Sequence, residues 1–159
     1  MKKYLISACL IGENVRYDGK NCLQQQLKQL IETGQAVTIC PEVSGGLGTP
    51  RPPAEIVGGD GCDVLNHRAK VMDAQGNDVT QAFILGAEKT LKLAQKHQIT
   101  HVILKANSPS CGSNMIYNGA FTGQKIHGVG VTTALLEQHG FQVMTEDAFL
   151  NNLRISDCK

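Results

Sequence analysis

The sequence has no tryptophan, and aromatic residues make up only 4% of its 159 positions. Its apolar residues, 42% of the total, are therefore mostly aliphatic. No apolar run approaches the ~18 residues that a membrane-spanning helix requires. We accordingly expect an aliphatic core and no membrane segment. The length indicates a single domain, residues 1–159.

An excess of charge of either sign is also lacking. The 15 basic and 14 acidic residues are mixed along the chain, and the longest basic run is Lys2-Lys3. Proteins that bind nucleic acids concentrate basic residues on one surface. The sequence therefore predicts no nucleic-acid partner.

We also expect no secretion signal, although residues 6–9 imitate the end of a lipoprotein signal. The apolar stretch before Cys9 is about five residues, whereas the core of a signal peptide needs roughly 7–15. We therefore expect a cytoplasmic protein, in which cysteines remain reduced thiols.

Strand and helix patterns alternate along the chain. Apolar runs at 4–8, 36–39, 101–105 and 141–144 are typical of buried strands, and helical spacing or caps indicate helices at about 22–33, 78–97, 129–139 and 145–153. This order predicts an α/β fold with a mainly parallel sheet flanked by helices in three Rossmann-like layers. A small β excursion is expected around residues 60–75, with short strands at 64–65 and 70–72.

A dense loop follows the second strand, because residues 40–53 contain four prolines and three glycines. This composition predicts irregular structure throughout the loop. Such a loop needs side-chain contacts or a bound group to order it.

Three of the six cysteines, Cys9, Cys40 and Cys111, each follow a strand-like run. The carboxyl ends of neighbouring parallel strands lie at one edge of a sheet, so these thiols are expected to converge. Three thiolates are soft ligands suited to a metal, and they can hold a 4Fe-4S cluster while one iron stays open to substrate. Their wide spacing matches no compact Cys-x-x-Cys motif, so spacing alone is weak support.

Three long motifs resemble those of the 2-thiouracil desulfidase family, a bacterial family formerly known only as a domain of unknown function. The resemblance covers nearly the whole chain. The motifs are Ser-Ala-Cys-Leu-Ile-Gly at 7–12 with Arg-Tyr-Asp-Gly at 16–19, Cys-Pro-Glu-Val-Ser-Gly-Gly-Leu at 40–47 with Thr-Pro-Arg-Pro-Pro-Ala-Glu-Ile at 49–56, and Ser-Pro-Ser-Cys-Gly at 108–112.

The resemblance implies an α/β enzyme that removes sulfur from a small thiolated heterocycle, such as a thiopyrimidine base, without redox chemistry. It implies a 4Fe-4S cluster held by Cys9, Cys40 and Cys111, with one iron open, and hence a need for iron-sulfur assembly machinery. It also points to Glu42 and Ser108 as an acid/base pair.

One departure from the family pattern concerns Val15. Many relatives carry a further cysteine before Arg-Tyr-Asp-Gly, whereas this chain has Val15. A cysteine ligand at this position is therefore excluded, which agrees with a site of three cysteines.

The remaining polar residues of the motifs have two possible roles. Arg16, Asp18 and Arg51 either anchor substrate or order the loops that carry the ligands, and Glu55 is interpreted as a loop-ordering acceptor. The other three cysteines are expected to have no function, with two buried, inert thiols and a thiol in the solvated C-terminal tail; they are Cys22, Cys62 and Cys158.

Two other functions remain open from the sequence alone. The first is a non-catalytic iron-sulfur or metal-binding module that senses or stores, for which Glu42 would point away from the site. The second is an enzyme with Cys111 as nucleophile, supported by Glu42 and a histidine.

Overall fold

The computed structural model describes residues 2–21 and 23–157. Cys22 and Cys158, both expected to be inert, lie outside the described residues. In chain order the strands are β1 (Tyr4–Ser7), β2 (Ala36–Ile39), β3 (Ala54–Val57), β4 (Lys70–Asp73), β5 (His101–Leu104), β6 (Met115–Tyr117), β7 (Lys125–His127) and β8 (Val143–Thr145). The helices are α1 (Gln25–Glu32), α2 (Pro41–Ser44), α3 (Gly61–Leu65), α4 (Thr80–Lys96), α5 (Val131–Gln138) and α6 (Glu146–Asp157).

Four parallel strands form the central sheet, in the order β2-β1-β5-β8. Tyr4 of β1 pairs with Ala36 of β2 on one side and with His101 of β5 on the other. Both β2 and β5 follow β1 in the chain, but they lie on opposite sides of it in the sheet. This reversal of strand order is a topological switch point, where α/β proteins place ligand clefts. The predicted parallel α/β architecture is confirmed.

Alternating side chains of β1 supply the cores on the two faces of the sheet. Tyr4 and Ile6 pack in a cluster with Leu27 of α1 and Phe149 of α6. Leu5 packs in another cluster with residues of α4 and α5. Helices therefore cover both faces, as the three-layer prediction required.

A smaller unit packs beside the sheet, where β3 and β4 form an antiparallel pair connected through α3. The predicted strand at Val64-Leu65 is wrong, because these residues end helix α3. Asp60 accepts hydrogen bonds from the backbone N–H groups of Cys62 and Asp63, and the Asp63 carboxylate accepts from the Asp60 N–H. This capping box starts a helix that the apolar pair alone does not reveal.

Two further predictions differ from the structure in detail, and one pair of strands was not predicted. Helix α1 begins at Gln25, three positions later than expected. The loop at 40–53 contains one helical turn, α2, whose first residue is Pro41, a position that proline favours because its missing N–H has no helical partner there. The antiparallel pair of β6 and β7 was not predicted, because three-residue strands leave too short a pattern.

The N-terminal ends of α6 and α4 show when a helix cap can be predicted from sequence. Thr145 Oγ1 accepts a hydrogen bond from the Ala148 N–H at 3.1 Å, as expected for the cap of α6. The spacing of Asp78 and Gln81 in the sequence is that of a capping box, but at α4 this box does not form, and the residue before the helix is Val79. Within the described ranges, no helix combines the length and apolar character needed to cross a membrane.

Helix α2 lies against α4 through two glycines. A Cβ atom added at Gly86 of α4 would meet the backbone carbonyl of Pro41, and one added at Gly45 would meet the carbonyl of Ala82. The absence of both side chains lets the turn after β2 approach α4 closely. This contact fixes the segment that carries Cys40 and Glu42.

Replacing Gly86 by Ala should lower the free energy of unfolding by about 1–3 kcal/mol, because the new methyl group collides with rigid backbone. This outweighs the roughly 0.5–1 kcal/mol that alanine normally gains over glycine within a helix. Thermal unfolding measures the effect. Gly48→Ala is the matched control, since nothing lies within 4 Å of its added Cβ. Unchanged or increased stability of Gly86→Ala would contradict the close contact.

Candidate active site at the carboxyl edge of the sheet

A cleft of about 450 Å³ lies beyond the carboxyl ends of β1, β2 and β5. Cys9, Cys40 and Cys111 all line it, together with Glu42 and Ser108. Its volume is in the range of about 300–1,000 Å³ typical of small-molecule sites. Parallel pairing of three adjacent strands thus brings distant motifs into one site.

Cys9 follows β1 within a short 3-10 helix, Ala8–Ile11. This helix ends at Gly12, whose φ of 100° is a left-handed conformation suited to glycine. Cys9 is buried and packs with Leu10 and Leu27. The turn therefore holds the sulfur at the base of the cleft.

Cys40 occupies the position before α2, and Pro41 then starts the helical turn. Its thiol donates to the carbonyl oxygen of Val15 at 3.8 Å. Burial raises the pKa of this thiol, and a hydrogen bond from the backbone of Val43 opposes the rise. The departure from the family pattern at Val15 therefore lies beside a cleft cysteine.

Cys111 is held by two serine hydroxyls. Ser108 Oγ accepts from the backbone N–H groups of Ser110 and Cys111, at 3.0 and 3.2 Å. Ser7 Oγ accepts from the Lys105 N–H at 2.9 Å and donates to Cys111 Sγ at 3.9 Å. These contacts fix both the turn after β5 and the orientation of the sulfur.

The pKa of the Cys111 thiol also depends on the other acidic groups of the cleft. Burial raises its pKa most strongly, and the negative charges that Glu42, Cys40 and Cys9 can carry raise it further. Repulsion between like charges is felt only at short range in a protein. The proximity of these groups therefore makes the thiolate form of Cys111 unfavourable unless positive charge is placed in the cleft.

The donor set distinguishes between two kinds of metal site. Among the described residues, no group of three His, Cys, Asp or Glu side chains is close enough to hold a single metal ion. Cysteines of an iron-sulfur cluster each bind a different iron, so their sulfurs need not meet at one point. Three soft donors around one cleft therefore fit a cluster better than a single ion.

Glu42, the acidic residue of α2, lines this cleft. Burial raises its pKa, which is partly offset by the nearby Arg51 guanidinium, by a hydrogen bond from Ser108 and by the charge of Arg16. Glu42 Oε1 lies 3.4 Å from Arg51 Nε. The carboxylate is thus oriented by two partners and faces the three cysteines.

Arg51 connects the loop at residues 40–53 to the rest of the site through hydrogen bonds. Its Nη1 donates to the Gly48 carbonyl and to Thr49 Oγ1, and its Nη2 donates to the Val15 carbonyl at 3.0 Å. Its backbone N–H donates to the carbonyl of Tyr17. The guanidinium therefore contacts the dense loop and joins it to the loop after the 3-10 helix.

Arg16 and Asp18 differ in position. Arg16 lines the cleft, whereas Asp18 lies outside its lining and accepts from the Lys20 N–H at 3.0 Å. The closest approach of their charged groups is 4.0 Å, and both are partly exposed. Asp18 therefore contributes to the turn rather than to the wall of the cleft.

The rest of the cleft wall is formed by residues to which the sequence analysis assigned no role. Sequence reasoning missed the aromatic residues Tyr17, Tyr117 and Phe121, and also Lys105, all of which line the cleft. Tyr17 lies inside a recognised motif, so its position was a usable signal. Tyr117 and Phe121 are brought in by the β6–β7 pair, which has no strong sequence pattern.

Two expectations about other side chains need correction or limits. Cys62 is exposed rather than buried, because it lies near the start of the surface helix α3. No histidine lines the cleft among the described residues. Cys111 therefore lacks the histidine that a nucleophilic cysteine would require there.

Comparison with known proteins identifies relatives over nearly the full chain. A family model described as 2-thiouracil desulfurase matches residues 4–148. The uncharacterized protein YbbK of Bacillus subtilis (strain 168) is 51% identical over 143 residues, which cover 90% of this chain and 95% of that protein. A solved structure described as 4Fe-4S-dependent thiouracil desulfidase TudS is 45% identical, with a TM-score of 0.85 over 98% of this chain and 99% of that one.

Replacing Arg51 by Lys should lower the free energy of unfolding by on the order of 1–3 kcal/mol, since one ammonium cannot reach all the acceptors that the guanidinium serves. Amide hydrogen exchange should accelerate over residues 45–51 in particular. Arg16→Lys is the control, because its partly exposed ion pair contributes about 0–1 kcal/mol. Equal exchange in both variants would show that Arg51 does not order the loop.

Proposed function

The chain belongs to the 2-thiouracil desulfurase family, and we propose that it is a 4Fe-4S-dependent enzyme that replaces the C=S group of a small thiolated heterocycle, such as 2-thiouracil, by C=O. The observation that carries the proposal is the convergence of three cysteines, Glu42 and Ser108 on one cleft. This arrangement supplies both metal ligands and groups that exchange protons.

Cys9, Cys40 and Cys111 would hold the cluster and leave one iron without a protein ligand. When bound, the cluster supplies a Lewis acid that makes the thiocarbonyl sulfur a better leaving group. The three cysteines come from turns anchored in different ways, by the 3-10 helix, by α2 and by the Ser108 turn. Each ligand therefore rests on a separate part of the rigid sheet edge.

The overall reaction balances without an oxidant or a reductant. Water supplies the oxygen of the new C=O group and two protons, the C–S bond breaks, and sulfur leaves as sulfide at the same oxidation state. The chemistry thus needs a group that removes a proton from water and returns one to the ring or to the sulfur.

Glu42 is the proposed proton carrier, because its carboxylate faces the cleft and its raised pKa suits proton exchange nearer to neutral pH. Ser108 donates a hydrogen bond to Glu42 and serves as the relay or orienting hydroxyl. Arg51 restrains the same carboxylate from the other side. Arg16 and Arg51 both line the cleft, which supports a further proposed role in orienting a polar substrate.

The two alternative functions receive less support. A sensing or storage module has no use for a carboxylate aimed at the cluster site, yet Glu42 lines the cleft. A nucleophilic Cys111 needs a lowered pKa and a nearby base, whereas burial raises the pKa of this thiol and, among the described residues, no histidine is in the lining.

The proposed chemistry also has a cellular requirement. A cluster on reduced cysteines needs iron-sulfur assembly machinery and a reducing compartment. We therefore assign the reaction to the cytoplasm.

The test of ligation is anaerobic reconstitution with iron and sulfide, followed by iron analysis. Wild-type protein should bind about four irons per chain, and Cys9→Ser, Cys40→Ser and Cys111→Ser should each lose most of that iron, because a hydroxyl is a poorer ligand for iron than a thiolate. Cys62→Ser is the matched control and should load fully, since Cys62 is exposed and outside the cleft lining. Full loading of any of the three cleft variants would remove that cysteine from the ligand set.

The test of catalysis is Glu42→Gln, which preserves size but removes the titrating carboxylate. Sulfide release from 2-thiouracil should fall by about 10²–10⁴-fold while iron content and the brown absorbance remain. Glu137→Gln controls for loss of a carboxylate, because Glu137 lies on α5 outside the cleft. A wild-type rate in cluster-loaded Glu42→Gln would exclude Glu42 as the proton carrier.

A further inference from the structure

Three of the seven aromatic residues of this chain line the cleft. Two of the three tyrosines and one of the four phenylalanines line it, namely Tyr17, Tyr117 and Phe121. Tyr17 and Phe121 are each 39% exposed, although large apolar side chains are usually buried. A flat, exposed ring in the wall of a cleft is suited to pack against a planar ligand.

Phe121 also has an unfavourable backbone conformation. Its φ of 57° is left-handed, a region that bulky residues avoid because Cβ approaches the backbone. Glycine would adopt this conformation without strain. A strained aromatic residue at an exposed position contributes little to the core, so the reason for an aromatic side chain here has to be sought in what the ring faces.

The surrounding loop is built to hold this conformation. The buried carboxylate of Glu55 accepts hydrogen bonds from the backbone N–H groups of Gly119 and Phe121, at 2.9 and 3.3 Å. Asn118 Oδ1 accepts from the Ala120 N–H at 2.9 Å. The loop between β6 and β7 is thus anchored on β3, and its orientation over the cleft is fixed before any ligand binds.

We propose that Phe121 is a specificity-determining residue whose ring packs on the face of the heterocycle, with Glu55 as the positioning residue that holds it there. The inference rests on the proposed function, because it assigns the ring-binding part of the same site. It predicts that the enzyme selects cyclic thioamides over acyclic compounds with the same thiocarbonyl group.

The direct test compares binding of 2-thiouracil and of thiourea, which has the same N–C(=S)–N unit but no ring. Turnover is suppressed by adding Glu42→Gln to every cluster-loaded protein compared, and calorimetric titration should then show 2-thiouracil binding roughly tenfold more weakly to Phe121→Gly than to protein that retains Phe121. Phe121→Tyr, which keeps the ring, should bind like wild type. The affinity for thiourea should be unchanged in both variants.

Stability separates recognition from a structural role. Phe121→Gly relieves the left-handed strain at an exposed position, so its melting temperature should equal or exceed that of wild type. A lower melting temperature together with equal loss of affinity for both compounds would overturn the inference, because Phe121 would then be supporting the fold.

Glu55 is tested through its effect on Phe121. Glu55→Leu removes the acceptor and should raise KM for 2-thiouracil while kcat for thiourea stays within about threefold of wild type. Glu55→Gln keeps a carbonyl oxygen that can accept the same hydrogen bonds and should restore KM. A loss of kcat for both compounds in Glu55→Leu would contradict a positioning role.

The outcomes also separate this inference from the proposed function. Wild type that binds 2-thiouracil in a Phe121-dependent way but releases no sulfide would overturn the proposed reaction and support the inference. Wild type that releases sulfide from 2-thiouracil, with Phe121→Gly equal to it in affinity and in preference over thiourea, would overturn the inference alone.

Discussion

The parallel pairing of β2, β1 and β5 is the constraint on which the site depends. The side-by-side register of these strands brings the turns that carry Cys9, Cys40 and Cys111 to one edge. Antiparallel pairing of any of the three would move its cysteine to the opposite edge. The helices on both faces matter to function because they bury the alternating side chains of the sheet and thereby stabilise the strands that carry the three turns.

Polar contacts between Arg51 and the acidic groups of the cleft add to the positioning that the sheet provides. The three cysteines and Glu42 are groups that carry negative charge when ionised, and they share a cleft in which burial raises the pKa values of Cys111 and Glu42. The guanidinium of Arg51 is the positive charge paired with Glu42, and its hydrogen bonds also contact the dense loop. The bound cluster proposed here would add positive charge where the thiolates meet. Order in the loop and ionisation in the cleft therefore depend on the same interactions.

Much of this arrangement was predictable from sequence, for identifiable reasons. Buried parallel strands leave aliphatic runs, and three of the four runs were followed by a cysteine motif, so the sheet and the meeting of Cys9, Cys40 and Cys111 in one cleft could be predicted from strand direction. Val64-Leu65 was misread because a two-residue apolar pair has no period, and the Asp60 cap decides its structure. Phe121 was missed because a left-handed φ and a contact with Glu55 are set by tertiary packing, not by a local pattern.

The most direct test of the account is Mössbauer spectroscopy of protein reconstituted anaerobically with ⁵⁷Fe, before and after addition of 2-thiouracil. We expect a 4Fe-4S cluster in which one iron, the one without a cysteine ligand, changes its isomer shift and quadrupole splitting when substrate binds, while the other three do not. A cluster whose four irons are indifferent to 2-thiouracil, or protein that binds no cluster, would contradict it.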